Sequence, residues 1–478
     1  MPNDLPLKER MQIARHVMPA QDAQERITNF DEVNRGFTPE LAREEAMRCL
    51  QCKDAPCSQG CPVHVHIPDF INQIVEGDTL KAADVLLQDN LLPAICGRVC
   101  PQEKFCESRC VLGKKGLPVA IGSLERYTAD ATANQRAARP VGDLPPATGR
   151  KVALIGSGPA SLACAGDLIR MGHAVTVFEA LHAFGGVLVY GIPEFRLPKR
   201  IVEYEVNVLR RLGVRFEKNV VIGMTLTLNE LMTDQGYDAV FIGAGAGLPH
   251  FLGVPGEELI GIYSSNELLT RVNLMKAYQS GAVTPIFSYQ DKTVAVFGAG
   301  NTALDSARTA LRLGAKKVHI IYRRSEEEMP ARHEEVLHAK EEGVEFTFLA
   351  APLEFIDNGQ GWLKGVRLQR MQLGEPDQSG RRSPMPIEGS EFTMDLDLAV
   401  IAIGNSSNPL LRDTPGLQFT RRGTLEVGEN SLQTTKKGVF AGGDIVTGGA
   451  TVISAMGAGR QAAQEINRYL LELNQPAG

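Results

Sequence analysis

Two stretches of the chain read alike: KVALIGSGPASLACAGDLIRMGHAVTVFEA from Lys151 and TVAVFGAGNTALDSARTALRLGAKKVHIIYRR from Thr293. Each runs from an apolar strand through a glycine turn into a helix of about four turns and then a second apolar strand. That order predicts a parallel βαβ unit shaped for a nucleotide, present twice, and it is far too long a unit for a short solenoid period. The duplication commits most of the chain to α/β architecture. At 478 residues the chain exceeds one ordinary core, so two to four domains are expected. An apolar fraction of 43% excludes extended disorder.

In the first unit the turn is Gly156-Ser157-Gly158-Pro159-Ala160-Ser161. Gly156 permits the tight turn, Gly158 lets the backbone approach a pyrophosphate, and the third position needs a small residue. Ser161 stands there in place of glycine or alanine. The following helix start offers free N–H groups to phosphates. Glu179 ends the next strand, where a carboxylate can accept hydrogen bonds from both ribose hydroxyls. The second turn, Gly298-Ala299-Gly300-Asn301-Thr302-Ala303, differs at its strand end, which carries Arg323 and Arg324. A guanidinium pair suits a 2′-phosphate. The first site is therefore read as FAD and the second as NADP(H). A lone glycine turn is often only a packing device, and paired arginines also occur on solvated faces. Two turns in strand–helix context, with opposite chemistry at the ribose end, outweigh that reading.

Near the C-terminus, GVFAGGDIVTGGATVISAMGAGR combines an apolar strand, Gly442-Gly443-Asp444 and a helix opening near Thr451. Asp444 is placed to hold a ribityl hydroxyl, and the helix start can stabilise negative charge on a reduced flavin. Strands ending in glycine at AVFIGAGAG and LAVIAIGNSSNP are expected hinges between nucleotide domains. The expected division is a helical iron–sulfur domain over 1–145, a discontinuous Rossmann-like FAD domain over 146–285 and 396–478, and a Rossmann-like NADP(H) domain inserted over 286–395. The polar connector QRAARPVGDLPPATGR marks the first boundary.

Eight of the nine cysteines crowd into two windows: Cys49, Cys52, Cys57 and Cys61, then Cys96, Cys100, Cys106 and Cys110. MPNDLPLKER lacks the apolar core of an export signal, and no apolar run reaches the ~20 residues of a membrane span. A reducing cytoplasmic setting follows, and it disfavours disulfides. Structural zinc prefers paired C-x2-C knuckles with a longer spacer. Dense, staggered thiols with proline after a cysteine favour iron–sulfur clusters, here two of the 4Fe-4S type, which also have single electrons to carry beside a flavin. Cys164 lies apart in the first nucleotide helix and reads as a small buried residue. No C-x-x-C follows Cys110, which argues against a thioredoxin-reductase type of chemistry. The mild charge of −6 and the lack of a basic stripe argue against nucleic acid.

Taken together, RCLQC, GCPVHVHIP, LPAICGRVCPQEKFCESRC, IGSLERY, GSGPAS, FGGVLVYGIPEFRLPK, FGAGNTALD, YRRSEEEMPA and GVFAGGDIV resemble the small (β) subunit family of NADPH-dependent glutamate synthase, nearly end to end. Its relatives include the N-terminal half of dihydropyrimidine dehydrogenase and the large subunit of NADH-dependent ferredoxin:NADP oxidoreductase. The resemblance implies crossed ligation: Cys49, Cys52, Cys57 and Cys110 on one cluster; Cys61, Cys100, Cys106 and the carboxylate of Glu125 on the other, with Cys96 a neighbour. It also implies that Arg196 lies near the flavin, that Gly186 and Leu188 pack against it, and that Asn301, Thr302 and Asp305 belong to the nicotinamide-nucleotide turn. A hydride would pass from NADPH to FAD, and electrons would leave singly through both clusters to a partner. On this resemblance the partner would be the large subunit of glutamate synthase. The alternative is a small flavin and 2Fe-2S subunit, with this chain the large subunit of an NAD(P)H/ferredoxin, bifurcating or sulfide dehydrogenase-type oxidoreductase. In either case a hetero-oligomer is expected. No general base is needed for such chemistry, and none is assigned.

Overall fold

The structure, a computed structural model, describes residues 5–138, 144–378 and 380–473. Part of the expected connector, residues 139–143, lies outside them. The N-terminal region is built from short helices: α1 (Pro39–Met47), α2 (Ile67–Val75), α3 (Thr79–Asp89), α4 (Pro93–Val99) and the longer α5 (Ile121–Ala138). Proline sits in the first turn of α1, α2 and α4, where its missing N–H costs nothing. α5 continues through Gln135–Ala138, so the start of the connector is helical.

Two five-stranded sheets follow. The first has β1 (Lys151–Ile155), β2 (Ala174–Glu179), β3 (Arg215–Lys218), β4 (Ala239–Ile242) and β13 (Val439–Ala441), in the order β13-β4-β1-β2-β3 and parallel throughout. The second has β5 (Ile262–Ser264), β6 (Thr293–Phe297), β7 (Lys317–Tyr322), β8 (Glu345–Phe348) and β12 (Leu398–Ile401), in the order β5-β12-β6-β7-β8 and also parallel. The central strands are buried along their length, as a parallel sheet covered on both faces demands. A separate antiparallel sheet, β9 (Ala350–Asp357), β10 (Leu363–Pro376) and β11 (Arg382–Asp395), extends from the second.

The expected boundaries at 285 and 396 need correction. Ile262–Ser264 and Leu398–Ile401 were assigned to the flavin segments, yet both pair within the second sheet. A short apolar run looks the same whichever sheet it joins; only its hydrogen-bond partners decide. The chain crosses between sheets after β4 and again after β12. The two crossings run side by side, with Leu248–Pro249 paired antiparallel to Asn405–Ser406.

Three further helices matter for the site: α6 (Pro159–Arg170), α8 (Asn301–Arg312) and the C-terminal α10 (Val452–Glu472). Between them come α7 (Lys199–Arg211) and α9 (His333–Glu341). One continuous core joins Leu92, Ile95 and Leu124 of the N-terminal helices to Leu162, Val206 and Ile466 around the first sheet. The helical region is thus fused to the first nucleotide domain, while the second sheet keeps its own core around Val294, Leu304 and Val400. Among the described residues no helix is long and apolar enough to cross a membrane.

Candidate functional site

At the first glycine turn, Gly156 has φ +88°, and a Cβ there would stand 2.7 Å from the carbonyl of Gly243. Only glycine fits. At Gly158, by contrast, an added Cβ would meet nothing within 4 Å. The space in front of α6 is open where a pyrophosphate would approach, and the helix's first N–H groups lack intrahelical acceptors. Pro159 occupies the first helical position. Gly186, at φ +55°, backs onto the same turn, with its Cβ direction 3.0 Å from the Gly158 Cα. Leu188 is fully buried beneath it.

Glu179 is buried and braced: it accepts hydrogen bonds from the Ser157 N–H (2.9 Å), the Ser157 hydroxyl (2.5 Å) and the Leu181 N–H (2.9 Å). Asp444 follows Gly443, which has φ +77° and faces Ala160 of α6. One Asp444 oxygen accepts from the Ala450 N–H at 3.1 Å, and burial pushes its carboxyl up to about 6. Thr451 caps α10 by accepting from the Ser454 N–H at 3.2 Å. These groups line up across β1, β2 and β13 at the carboxyl ends of parallel strands, the position where such sheets take ligands. Donor geometry and open space both fit FAD.

The second turn repeats the arrangement. Gly298, at φ +130°, could not carry a Cβ, which would lie 2.3 Å from the Ala402 carbonyl. Gly300 caps α8, which begins with Asn301 and Thr302. The Asn301 side chain accepts from the Arg332 N–H at 3.0 Å. At the end of β7 the two arginines part. Arg323 is exposed. Arg324 is buried, bonded to Asp377 at 2.5 Å and to the Arg382 carbonyl at 2.8 Å. A 2′-phosphate could thus be gripped by Arg323 directly, with Arg324 fixing the turn to the antiparallel sheet.

Arg196 and Asp305, which the sequence assigned to two different cofactors, are bonded to each other. One guanidinium nitrogen of Arg196 donates to both Asp305 oxygens, at 2.7 and 2.9 Å. The pair ties the flavin segment to α8. Lys199 is a further, half-buried cation that sequence reading missed. Its ammonium donates to the carbonyls of Leu188, Ile192 and Leu197, and burial lowers its pKa to about 7.

The thiols gather around two cavities. Cys49, Cys52, Cys57 and Cys110 line the first, with Ile67, Ile71, Val119 and Ile121. Cys61, Cys96, Cys100, Cys106 and Glu125 line the second, with Val65, Ile67, Phe70, Ile121 and Ile453. All nine cysteines are free thiols. Among the described residues no three His, Cys, Asp or Glu side chains converge closely enough to hold a single metal ion. The thiols ring a space, which suits a polynuclear group with sulfide atoms of its own.

The cavities are apolar, so burial pushes Cys49 up to about 12 and Cys57 and Cys61 to about 11. It raises Cys52 and Cys106 as well. Cys100 is raised first by its hydrogen bond with Cys96, then by burial. Glu125 is pushed up to about 8 by burial, against the opposing hydrogen bond from Asn90 at 2.6 Å. Ligands must be deprotonated, so a cationic group has to supply the charge that keeps these donors ionised.

Asn90 is a fully buried residue to which sequence reading gave no role. Its carbonyl oxygen accepts from the Leu92 N–H at 2.9 Å and faces the Cys96 sulfur at 3.7 Å, so one amide orients both Glu125 and Cys96. Nothing in QDNLLPAIC marks this asparagine beforehand. The Cys96 sulfur also touches the Met456 sulfur of α10 at 3.5 Å.

The second nucleotide domain rests on the same region. Arg332 donates to the Arg98 carbonyl (2.6 Å) and to Gln102 (3.1 Å), and Gln102 lines the second cavity. Below it, Arg308 and Arg312 of α8 and Arg26 of the N-terminal segment converge on Glu342. Burial alone would raise Glu335, but the guanidiniums of Arg308, Arg196 and Arg332 outweigh it and hold that carboxyl at about 2.

Paired Rossmann sheets fused to a thiol-lined helical region define a pyridine-nucleotide flavoprotein with iron–sulfur centres. Residues 150–459 match the pyridine nucleotide-disulphide oxidoreductase family, and residues 26–137 match the dihydropyrimidine dehydrogenase domain II, 4Fe-4S cluster family. The glutamate synthase [NADPH] small chain of Halomonas elongata is 39% identical, covering 94% of this chain and 95% of that one. The NADP(+)-dependent formate dehydrogenase subunit beta of Moorella thermoacetica is 40% identical over 87% of this chain and 60% of its own length. The solved structure of Mycobacterium tuberculosis FprA in complex with NADPH, 20% identical, covers 68% of this chain and 85% of its own with a TM-score of 0.55, a likeness of fold. The chain belongs to the pyridine nucleotide-disulphide oxidoreductase family, in the group of the glutamate synthase small chains. It is an NADPH-dependent oxidoreductase whose cofactors are FAD, NADP(H) and 4Fe-4S clusters.

Proposed function

We propose that this chain is the electron-input subunit of a cytoplasmic glutamate synthase and that a separate large subunit carries the terminal reaction. When bound, the flavin accepts a hydride from NADPH and the clusters pass electrons on one at a time. The protein's share is placement. Gly156, Gly158 and Glu179 would seat the dinucleotide, with the cap of α10 at Thr451 directing a positive helix end toward the flavin. The Arg196–Asp305 bridge would hold the two nucleotide domains at a fixed spacing. Cys61, Cys100, Cys106 and Glu125 would ligate the inner cluster, and Cys49, Cys52, Cys57 and Cys110 the outer.

One observation carries the reading: the second cavity is walled by Ile453 of α10 on one side and shares Ile67 and Ile121 with the first cavity on the other. The second cavity thus adjoins both the flavin domain and the first cavity. The experiment is an anaerobic pull-down from native cells combined with an NADPH titration. Bleaching of the flavin and recovery of a glutaminase-type large subunit support the assignment. Recovery of a formate dehydrogenase or a small flavin and 2Fe-2S subunit would move the chain to that enzyme class, and a flavin that does not bleach would overturn it.

A further inference from the structure

Of the two cavities, the outer one lies nearer the molecular surface. Three of its four thiols, Cys52, Cys57 and Cys110, are partly exposed, whereas Cys61, Cys100 and Cys106 of the inner cavity are buried. On the electron-input reading, an electron leaving the chain leaves there. The segments that supply the outer lining carry six exposed charged side chains: Lys53, Arg109, Lys114 and Lys115 against Asp54 and, in the first turn of α2, Asp69. Four cations thus face two carboxylates on a chain whose overall charge is −6. Asp54 is exposed and two residues from Cys52, so one carboxylate stands at the rim itself.

The cations are also unspent. Some exposed cations elsewhere have carboxylate partners, as Lys340 has Glu326 and Arg382 has Glu327. None of Lys53, Arg109, Lys114 and Lys115 forms an ion pair with a described residue. Arg109 lines the cavity itself. The exposed Leu117, 63% accessible, adds an apolar contact beside Lys114 and Lys115.

We propose that this rim is the docking surface for the electron-accepting partner, and that the partner presents an acidic face around its own one-electron centre. The inference rests on the electron-input reading and adds the chemistry of the partner. Electron-transfer encounters bury little area and depend on electrostatic steering, which raises association rates at low salt and fades as salt screens it. The electron passes from the outer cluster to the acceptor, whose centre is reduced as the cluster is reoxidised.

The test uses the holoprotein with NADPH and two protein acceptors of opposite charge: rubredoxin, which is acidic, and cytochrome c, which is basic. Rubredoxin reduction should slow as ionic strength rises, while cytochrome c reduction should not. The variant K114E/K115E should reduce rubredoxin about tenfold more slowly at low salt, with flavin bleaching by NADPH unchanged. Equal salt responses for the two acceptors, or an unaltered rubredoxin rate in the variant, would overturn the surface while leaving the electron-input reading standing. A flavin that fails to bleach in the unaltered protein would overturn both.

Discussion

Ser161 carries a hydroxyl where the close approach of helix and strand asks for glycine or alanine, and the structure shows what makes room for it. Gly243, at the end of β4, faces it so closely that a Cβ would lie 2.3 Å from the serine oxygen and 2.9 Å from the Phe241 ring. Gly243→Ala should therefore destabilise the protein by ~1–3 kcal/mol and lower the flavin retained per chain. Adding Ser161→Ala should recover part of that loss, measured by the denaturant midpoint and flavin absorbance; no recovery would mean Phe241 alone sets the limit. The serine was visible in the sequence as a departure, but its partner is 82 residues away and was not. The arginines of β7 teach the same lesson. Their type and place were legible, yet only the fold separates exposed Arg323 from buried Arg324. Arg323→Ala should raise the KM for NADPH about tenfold or more and leave NADH nearly unchanged, since a charge-assisted bond is worth ~1.5–3 kcal/mol. Arg324→Ala should act instead through the loosened Asp377 contact and affect both nucleotides alike.

At the level of elements, α10 and α9 connect what the sequence presents as separate modules. α10 lies so close to α6 that a Cβ at Gly459 would fall 2.0 Å from the Ala160 carbonyl. Gly459→Val should push the helices apart and yield protein with little bound flavin, read from the ratio of flavin to protein absorbance. Glu342, just beyond α9, pairs with Arg26, Arg308 and Arg312 together, with Glu341 also on Arg26 and Glu335 on Arg308. Glu342→Ala leaves three buried guanidiniums short of a counter-charge and should cost ~3–5 kcal/mol in denaturant unfolding. The pH sense follows from Glu335, held at about 2 by its guanidiniums. A carboxyl lowered in the folded state stabilises it above the ordinary carboxylate range, and that contribution is lost as pH falls from ~4.5 toward 2. Unfolding free energy measured across that interval should fall with pH, and less steeply in Glu335→Gln. None of this network was foreseen, because its residues read singly as helix surface charges; burial appears only when α8, α9 and the N-terminal segment meet.

For the whole molecule, the sequence disclosed the two βαβ units, the segmented flavin domain and the two groups of thiols, since glycine turns and cysteine spacing are local signals. It did not disclose which sheet takes Ile262–Ser264 and Leu398–Ile401, nor the antiparallel sheet of β9, β10 and β11, nor the line-up of cavities, all of which are set by long-range pairing. Membership of the second cavity drew on four separated places in the chain, from Cys61 to Ile453. Electron input by this chain requires one arrangement: nucleotide, flavin, inner and outer thiol cavities in series. Low-temperature electron paramagnetic resonance of the anaerobically prepared protein after NADPH addition tests it most directly. The prediction is a reduced iron–sulfur signal accompanying the bleached flavin, and loss or marked change of the inner-cluster signal in Glu125→Ala. A fully bleached flavin with no iron–sulfur spin at all would contradict it.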